Sequence, residues 1–313
     1  MRLLPLVGVF SALLCGVLAP PASTARVIYV DPAGSDSGDG DAARPVRSIG
    51  RAQDLAAAGD TVLVAPGTYS PVSLSRPGVV YRSAQRYGAT IAQSPQGSGS
   101  AVSVSGEGIT VSGFDITGGR VAVAVTAPRV TIQGNRVHGV CKFDPGGSGG
   151  AAIDVFTGNY GPLSDVVVDG NLVYDVGRGP GMSQTVQGIY IAVPVPGGRV
   201  TNNAVWAVED YGIHAYHNPA DWLVANNTVV RNGRGILAGP RFRVVNNISA
   251  YNRGPGYDVT SSGESGPVTF DRNLSFGNGR DGARAGVDVA DPRLVSDSDL
   301  HPRADSPAIG QPS

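Results

Sequence analysis

The sequence predicts an all-β solenoid, a single-stranded parallel β-helix, on three observations. The first is a phrase that recurs six times: TIQGNRV, VVDGNLV, RVTNNAV, LVANNTV, RVVNNIS and TFDRNLS. Its Asn stands at Asn135, Asn171, Asn203, Asn227, Asn247 and Asn273, with successive gaps of 36, 32, 24, 20 and 26 residues. Self-similarity at such a period marks repeats that bury their apolar face only by stacking on a neighbour. The second is the content of each repeat. Short runs of Val and Ile alternate with polar residues and are broken by Gly and Asn, which are strand and turn signals. The third is composition. Of 313 residues only 16% are charged and 45 are Gly, as expected for many short strands. An Asn at one fixed turn of every coil can bond its amide to the next, which satisfies polar groups inside the turn.

The elements follow in order. Arg2, the apolar stretch Leu3 to Ala19 and the small residues Ala22 to Ala25 read as a secretory signal over residues 1–25, with cleavage after Ala25. Leu14 before Cys15 is too bulky for a lipoprotein cleavage site, so a secreted, extracellular protein is expected. The mature chain then keeps one cysteine, Cys141, and forms no internal disulfide. No other segment is apolar enough to span a membrane. The net charge of −1 gives no reason to expect a nucleic-acid partner. Residues 26–60 form an N-terminal cap: a strand Val27 to Val30, a turn-rich loop, and a helix Val46 to Ala58 that presents Ile49, Ala52, Leu55 and Ala56 on one face. Such a helix covers the first coil and blocks edge-to-edge pairing. Asp31, Asp36, Asp39 and Asp41 in the loop lack the spacing of a calcium loop and read as turn formers. Coils occupy 61–290, and the unpatterned tail 291–313 closes the other end.

The segments YVDPAGSDSGDG and GDTVLVAPGTY, flanking that helix, resemble the N-terminal region of secreted right-handed parallel β-helix proteins of the pectate-lyase superfamily. The tail DSDLHPRADSPAIG is similar to their closing segment, and GIYIA and YGIHAYHN resemble their less characterised repeat proteins. The resemblance covers nearly the whole mature chain. It implies a right-handed helix and an acidic polysaccharide as substrate. The scaffold also carries epimerases, hydrolases and non-catalytic spikes, so the reaction must be argued from a site. The Asn-Thr-Asp, Asp-Asp and Gly-His-Gly motifs of the polygalacturonase hydrolases are absent, as are the acidic calcium cluster and Arg-rich motif of well-known pectate lyases.

Alignment on the Asn brings a second strand of each coil into line: IDVF, IYIA, IHAY, ILAG, YDVT and VDVA. Side chains alternate across a strand, so apolar first and third positions point inward and the second points out. The outward column then runs Asp154, Tyr190, His214, Leu237, Asp258, Asp288, with Phe156 and Tyr216 one pleat further along. Two insertions, CKFDPGGSGG and GRGPGMSQTVQ, precede Asp154 and Tyr190 and should wall a groove. They carry Lys142, the only lysine, and Arg178. Glu209 and Asp210 are adjacent and read as a turn or solvated edge, and His138 as a coil residue.

This constellation suits β-elimination from a uronic-acid polysaccharide. The uronate must be neutralised, its α proton removed and the leaving oxygen protonated. Arg178, Lys142 or a bound Ca²⁺ would hold the carboxylate. Tyr190, His214 or Lys142 would serve as base, with Tyr190 or His214 as acid; a tyrosine base needs its pKa lowered by nearby cations. Asp154, Phe156, Tyr216 and His217 would bind the sugars. No cofactor is required beyond a possible Ca²⁺, and a monomer is expected. A uronate epimerase or glycoside hydrolase on the same scaffold, or a non-catalytic carbohydrate-binding surface protein, are the alternatives.

Overall fold

A computed structural model describes residues 25–143, 149–156, 163–177, 185–192, 196–217, 219–260, 266–282 and 284–309. Residues 1–24 of the expected signal segment, Arg178 and most of the two insertions lie outside the described residues.

The chain winds into a parallel β-helix with three sheets of ten, ten and eight strands, every named pair parallel. Sheet 1 holds the strands just before the repeated Asn, from Val27–Val30 through Thr131–Gln133 to Thr269–Asp271. Sheet 2 holds those just after it, from Gly67–Tyr69 through Arg136–Val140 to Val287–Val289. Sheet 3 closes each coil, from Val72–Leu74 through Gly150–Phe156, Val186–Ala192 and Tyr211–Tyr216 to Tyr257–Val259.

The alternating pattern builds the core directly. In sheet 1, Val62, Tyr81, Val111, Ile132, Val168, Val200, Val224 and Val244 stack in register and are all buried. Like side chains therefore touch like side chains from coil to coil, and the apolar interior is continuous. The corner between sheets 1 and 2 is sharp. The residue before each Asn has positive φ, and Gly134 and Gly170 meet that need without a Cβ penalty. Each Asn then points inward. Nδ2 of Asn135 donates to Oδ1 of Asn171 at 3.1 Å, Asn171 to Asn203 at 3.0 Å, Asn203 to Asn227 at 3.0 Å, Asn227 to Asn247 at 2.9 Å and Asn247 to Asn273 at 3.0 Å. Backbone N–H groups donate to the same oxygens, as Asn203 N does to Asn227 Oδ1 at 3.0 Å. The expected amide ladder is thus present and fully bonded.

A second ladder stands at the next corner, between sheets 2 and 3. Asn232 accepts from Val208 N, Asn252 from Asn232 N, and Asn278 from Asn252 Nδ2. Its signal is the Asn in RNGRG, YNRGPG and GNGRDG, which the alignment on the first Asn passes over.

Both ends differ from expectation. The cap helix is Ile49–Leu55, shorter than 46–58. Ser48 caps it, its side chain accepting from Arg51 N at 3.1 Å. It stops at Ala56 because Asp60 draws the following chain into a turn, accepting from Ala57 N and Arg26 N at 2.9 Å each. Ile49 and Ala52 enter the core as the apolar face requires. The tail runs back over the outer face of sheet 2, where Leu294 and Leu300 pack on Val230, Ile248, Ala250 and Leu274. Asp288 lies in sheet 2, pairing with Leu274, and not in the outward column of sheet 3. The stretch 277–286 is too short to round sheets 3 and 1 before Val287–Val289 pairs again.

Candidate active site on the outer face of sheet 3

Sheet 3 places the column in register. Ser103, Ala124, Asp154, Tyr190, His214, Leu237 and Asp258 are successive partners on seven strands. Their flanking neighbours Ile153, Val155, Ile189, Ile191, Ile213 and Ala215 are fully buried, which fixes the column outward. Phe156, Ala192 and Tyr216 form the parallel column one pleat along.

The column joins three titratable groups on adjacent coils. The His214 ring stacks on Tyr190 at 5.1 Å and on Tyr211 at 4.8 Å, and meets Tyr216 at 5.5 Å. Tyr216 is 43% exposed and touches the His217 ring edge-on at 4.4 Å. The result is an aromatic ledge beside a sunken row of polar atoms. Asp154 Oδ1 and His214 Nδ1 are both buried and find no hydrogen-bond partner. A buried polar atom left unmade costs stability, so two in one row call for an explanation.

The same burial sets the charges. It pushes the Asp154 carboxyl up to about 7, against the pull of Arg120. It pushes the Tyr190 phenol up to about 12, helped by Asp154 and Tyr216. It pushes His214 down to about 4, helped by Arg234 and His217. Tyr190 therefore keeps its proton, in contrast to the lowered pKa a tyrosine base would need.

Two arginines that sequence reasoning missed border the row. Arg234 opens its strand in register with Tyr211, lies over that ring at 5.1 Å, and sits 3.4 Å from the Asp210 carboxylate. Arg120 immediately precedes the strand Val121–Val125 and acts on Asp154 by its charge. Both stand at the mouth of a sheet 3 strand, outside the alternating positions that sequence spacing reads. Asp210 is buried, not a solvated edge, because Gln187 Nε2 donates to it at 3.2 Å.

Lys142 is placed apart from the column's polar row. Its Nζ pairs with Asp175 Oδ1 at 2.7 Å. His138 belongs to sheet 2, stacked on Tyr174 at 5.1 Å and 3.0 Å from Asp115 Oδ1. Arg136 also holds Asp115, at 2.7 Å, and the hydrogen bonds of these two partners keep that carboxyl down at about 2 despite its burial. Ca²⁺ takes six to eight oxygen ligands. One carboxylate, a phenol and an imidazole do not make such a shell, and no group of three His, Cys, Asp or Glu side chains converges among the described residues.

A cavity of about 900 Å³ lies away from this column, between the first Asn corner and the tail. Asp154 and His214 are not among its lining residues, though Tyr87, whose hydroxyl is likewise buried and unbonded, is.

A parallel β-helix with one polar, aromatic column on its third sheet defines the class. The chain belongs to the family described as right handed beta helix region, whose model matches residues 74–238. Among solved structures it is similar to the pectate lyase Pel9A, over 83% of this chain and 71% of that one, at 18% identity and a TM-score of 0.67. A rhamnogalacturonan lyase matches over 80% and 74% at 17% identity and a TM-score of 0.56. An alginate lyase from Paenibacillus sp. str. FPU-7 matches over 81% and 94% at 16% identity and a TM-score of 0.52. At these identities the likeness is one of fold. No curated protein matches the chain by sequence. Among the described residues no helix is long and apolar enough to cross a membrane.

Proposed function

We propose that this protein is a secreted polysaccharide lyase that cleaves a uronic-acid-containing polymer by β-elimination on sheet 3. The observation that carries the reading is the pair of buried, unpartnered atoms, Asp154 Oδ1 and His214 Nδ1, on either side of Tyr190. Bound sugar would supply the missing partners. The three solved lyases named above share the scaffold, which supports a carbohydrate-active reading.

The roles follow from the charges. Arg120, whose charge acts on Asp154, holds the uronate carboxylate and stabilises the charge that gathers there as the α proton leaves. Asp154, with its pKa near 7, accepts that proton. The electron pair forms the new double bond and expels the glycosidic oxygen at the β carbon. Tyr190, still protonated, donates its proton to that oxygen. Neutral His214 accepts a hydrogen bond from a sugar hydroxyl, and Tyr216 and Phe156 pack on the rings. A glycoside hydrolase needs two carboxyl groups about 5–9.5 Å apart. The next carboxylate in the column, Asp258, is four coils from Asp154, roughly 19 Å at the strand spacing.

The test is an ultraviolet screen of the protein against polygalacturonate, rhamnogalacturonan and alginate, with Ca²⁺ and with chelator. New unsaturated ends, lost in Tyr190→Phe, support the reading. Inverted stereochemistry without absorbance would make the protein an epimerase. Binding without any product would make it a carbohydrate-binding protein.

A further inference from the structure

The cavity at the first Asn corner is a groove, and the reaction on sheet 3 does not use it. Its floor is an apolar strip in register down sheet 2: Leu172, Ala204, Thr228, Ile248 and Leu274. Five coils at the strand spacing give a floor about 19 Å long. One wall is the tail around Leu300 and His301. The other wall is a row of exposed amides, Asn202, Asn226 and Asn246, one per coil.

Those asparagines occupy the positive-φ position just before the ladder Asn, with φ of 58°, 57° and 55°. Turn geometry alone accounts for a residue tolerant of that conformation, since Asn and Gly both adopt it. Along the groove that position runs Gly170, Asn202, Asn226, Asn246 and Arg272, so three of its five coils present an amide there and one a guanidinium.

We infer that this groove is a second carbohydrate-binding site, one that holds a neutral polysaccharide chain lengthwise along the coil axis. An apolar strip beside amides repeated at every coil matches a chain with apolar C–H faces and hydroxyl edges, because each amide both donates and accepts. Charge fits a neutral polymer: Arg86 and Arg272 are offset by Asp288 and Asp299 along the lining. A peptide adding as a strand would need a free sheet edge. Here the backbone of sheet 2 is already paired between coils on both sides. The groove would anchor the protein to its surroundings while sheet 3 works on a different chain. The inference does not depend on the lyase reading.

The test separates turn from ligand. Asn226→Gly with Asn246→Gly removes two amides but keeps the turn, as Gly134 and Gly170 show the turn accepts Gly. Migration is measured in gels containing xylan, galactan or polygalacturonate. Wild type should be retarded by xylan or galactan, and the double Gly variant at least tenfold less, with its melting temperature unchanged. Tyr190→Phe should remain retarded, which keeps this site distinct from sheet 3. No retardation of wild type by either neutral polymer overturns the inference. So does equal retardation of the double Gly variant, or capture by a peptide library in place of all three polymers.

Discussion

Two of the polar columns that climb this solenoid, the first Asn ladder and the outward column of sheet 3, differ in how they are satisfied. In the Asn ladder at the first corner, each amide has its donors and acceptors used, at 2.9 to 3.1 Å from coil to coil. In the sheet 3 column, Asp154 and His214 each carry a buried atom left unbonded. The first column is bonded within the fold. The second leaves two atoms open to a ligand. Repetition of a residue type therefore marks structure in this molecule, and departure from repetition marks the candidate site. Asp, Tyr and His succeed one another where Ser103 and Ala124 stood before.

The largest effect expected from this contrast is on turnover. Tyr190→Phe and Asp154→Asn should each lower the rate of double-bond formation at least about 100-fold, the scale of losing a general acid or base. Tyr190→Phe should leave the melting temperature near wild type and Asp154→Asn should not lower it, since neither change removes a bond the fold relies on. Wild-type rates in both variants would remove the sheet 3 column as the active site.

The ladder should respond in the opposite sense. Asn227→Ala strands donors on Asn203 and an acceptor at Val200, so it should cost about 1–3 kcal/mol in urea unfolding. Activity per folded molecule should be unchanged. An unaltered unfolding midpoint would mean that the ladder is incidental to stability.

The pH dependence of stability sharpens the comparison further. Asp154 has a folded pKa of about 7, above its unfolded value, so its contribution is full below about pH 4 and is lost as pH rises toward 7. His214 has a folded pKa of about 4, below its unfolded value, so its contribution is lost as pH falls from 6.5 toward 4. Between pH 4 and 6.5 the two slopes oppose and wild-type melting should be nearly flat. Asp154→Asn should leave a melting temperature that rises with pH over that window. His214→Gln should leave one that falls. Identical profiles in all three proteins would show that neither group is held as its burial indicates.

The fold was readable because its rule is periodic. An apolar residue two or three places ahead of an inward Asn recurs six times, and periodicity needs no knowledge of the third dimension. The register of Asp154, Tyr190 and His214 followed from the same count. Three features were not readable, for three reasons. Arg234 and Arg120 reach the site from the first residue of a strand or the residue before it, so no alternation rule points them there. Asp288 was misplaced because the last coil is truncated and counting assumes a whole one. The direction of the Tyr190 shift depends on how deeply the ring sinks between neighbours, which sequence spacing does not record.

The smallest effect concerns Lys142, the only lysine in the chain. Rarity suggested a titratable amine kept for chemistry. The geometry suggests a tie between two turns, because Nζ lies 2.7 Å from Asp175 Oδ1 and both side chains are partly exposed, at 28% and 48%. An ion pair with that much solvent access contributes about 0–1 kcal/mol. Lys142→Met should therefore shift the unfolding free energy by less than about 1 kcal/mol. It should also leave turnover within a few-fold of wild type, and Lys142→Arg should restore whatever stability is lost. A loss in Lys142→Met on the scale of Tyr190→Phe, not rescued by arginine, would return the amine to the catalytic set. It would then mean that a residue bonded in this structure, and not only the unbonded ones, takes part in the reaction.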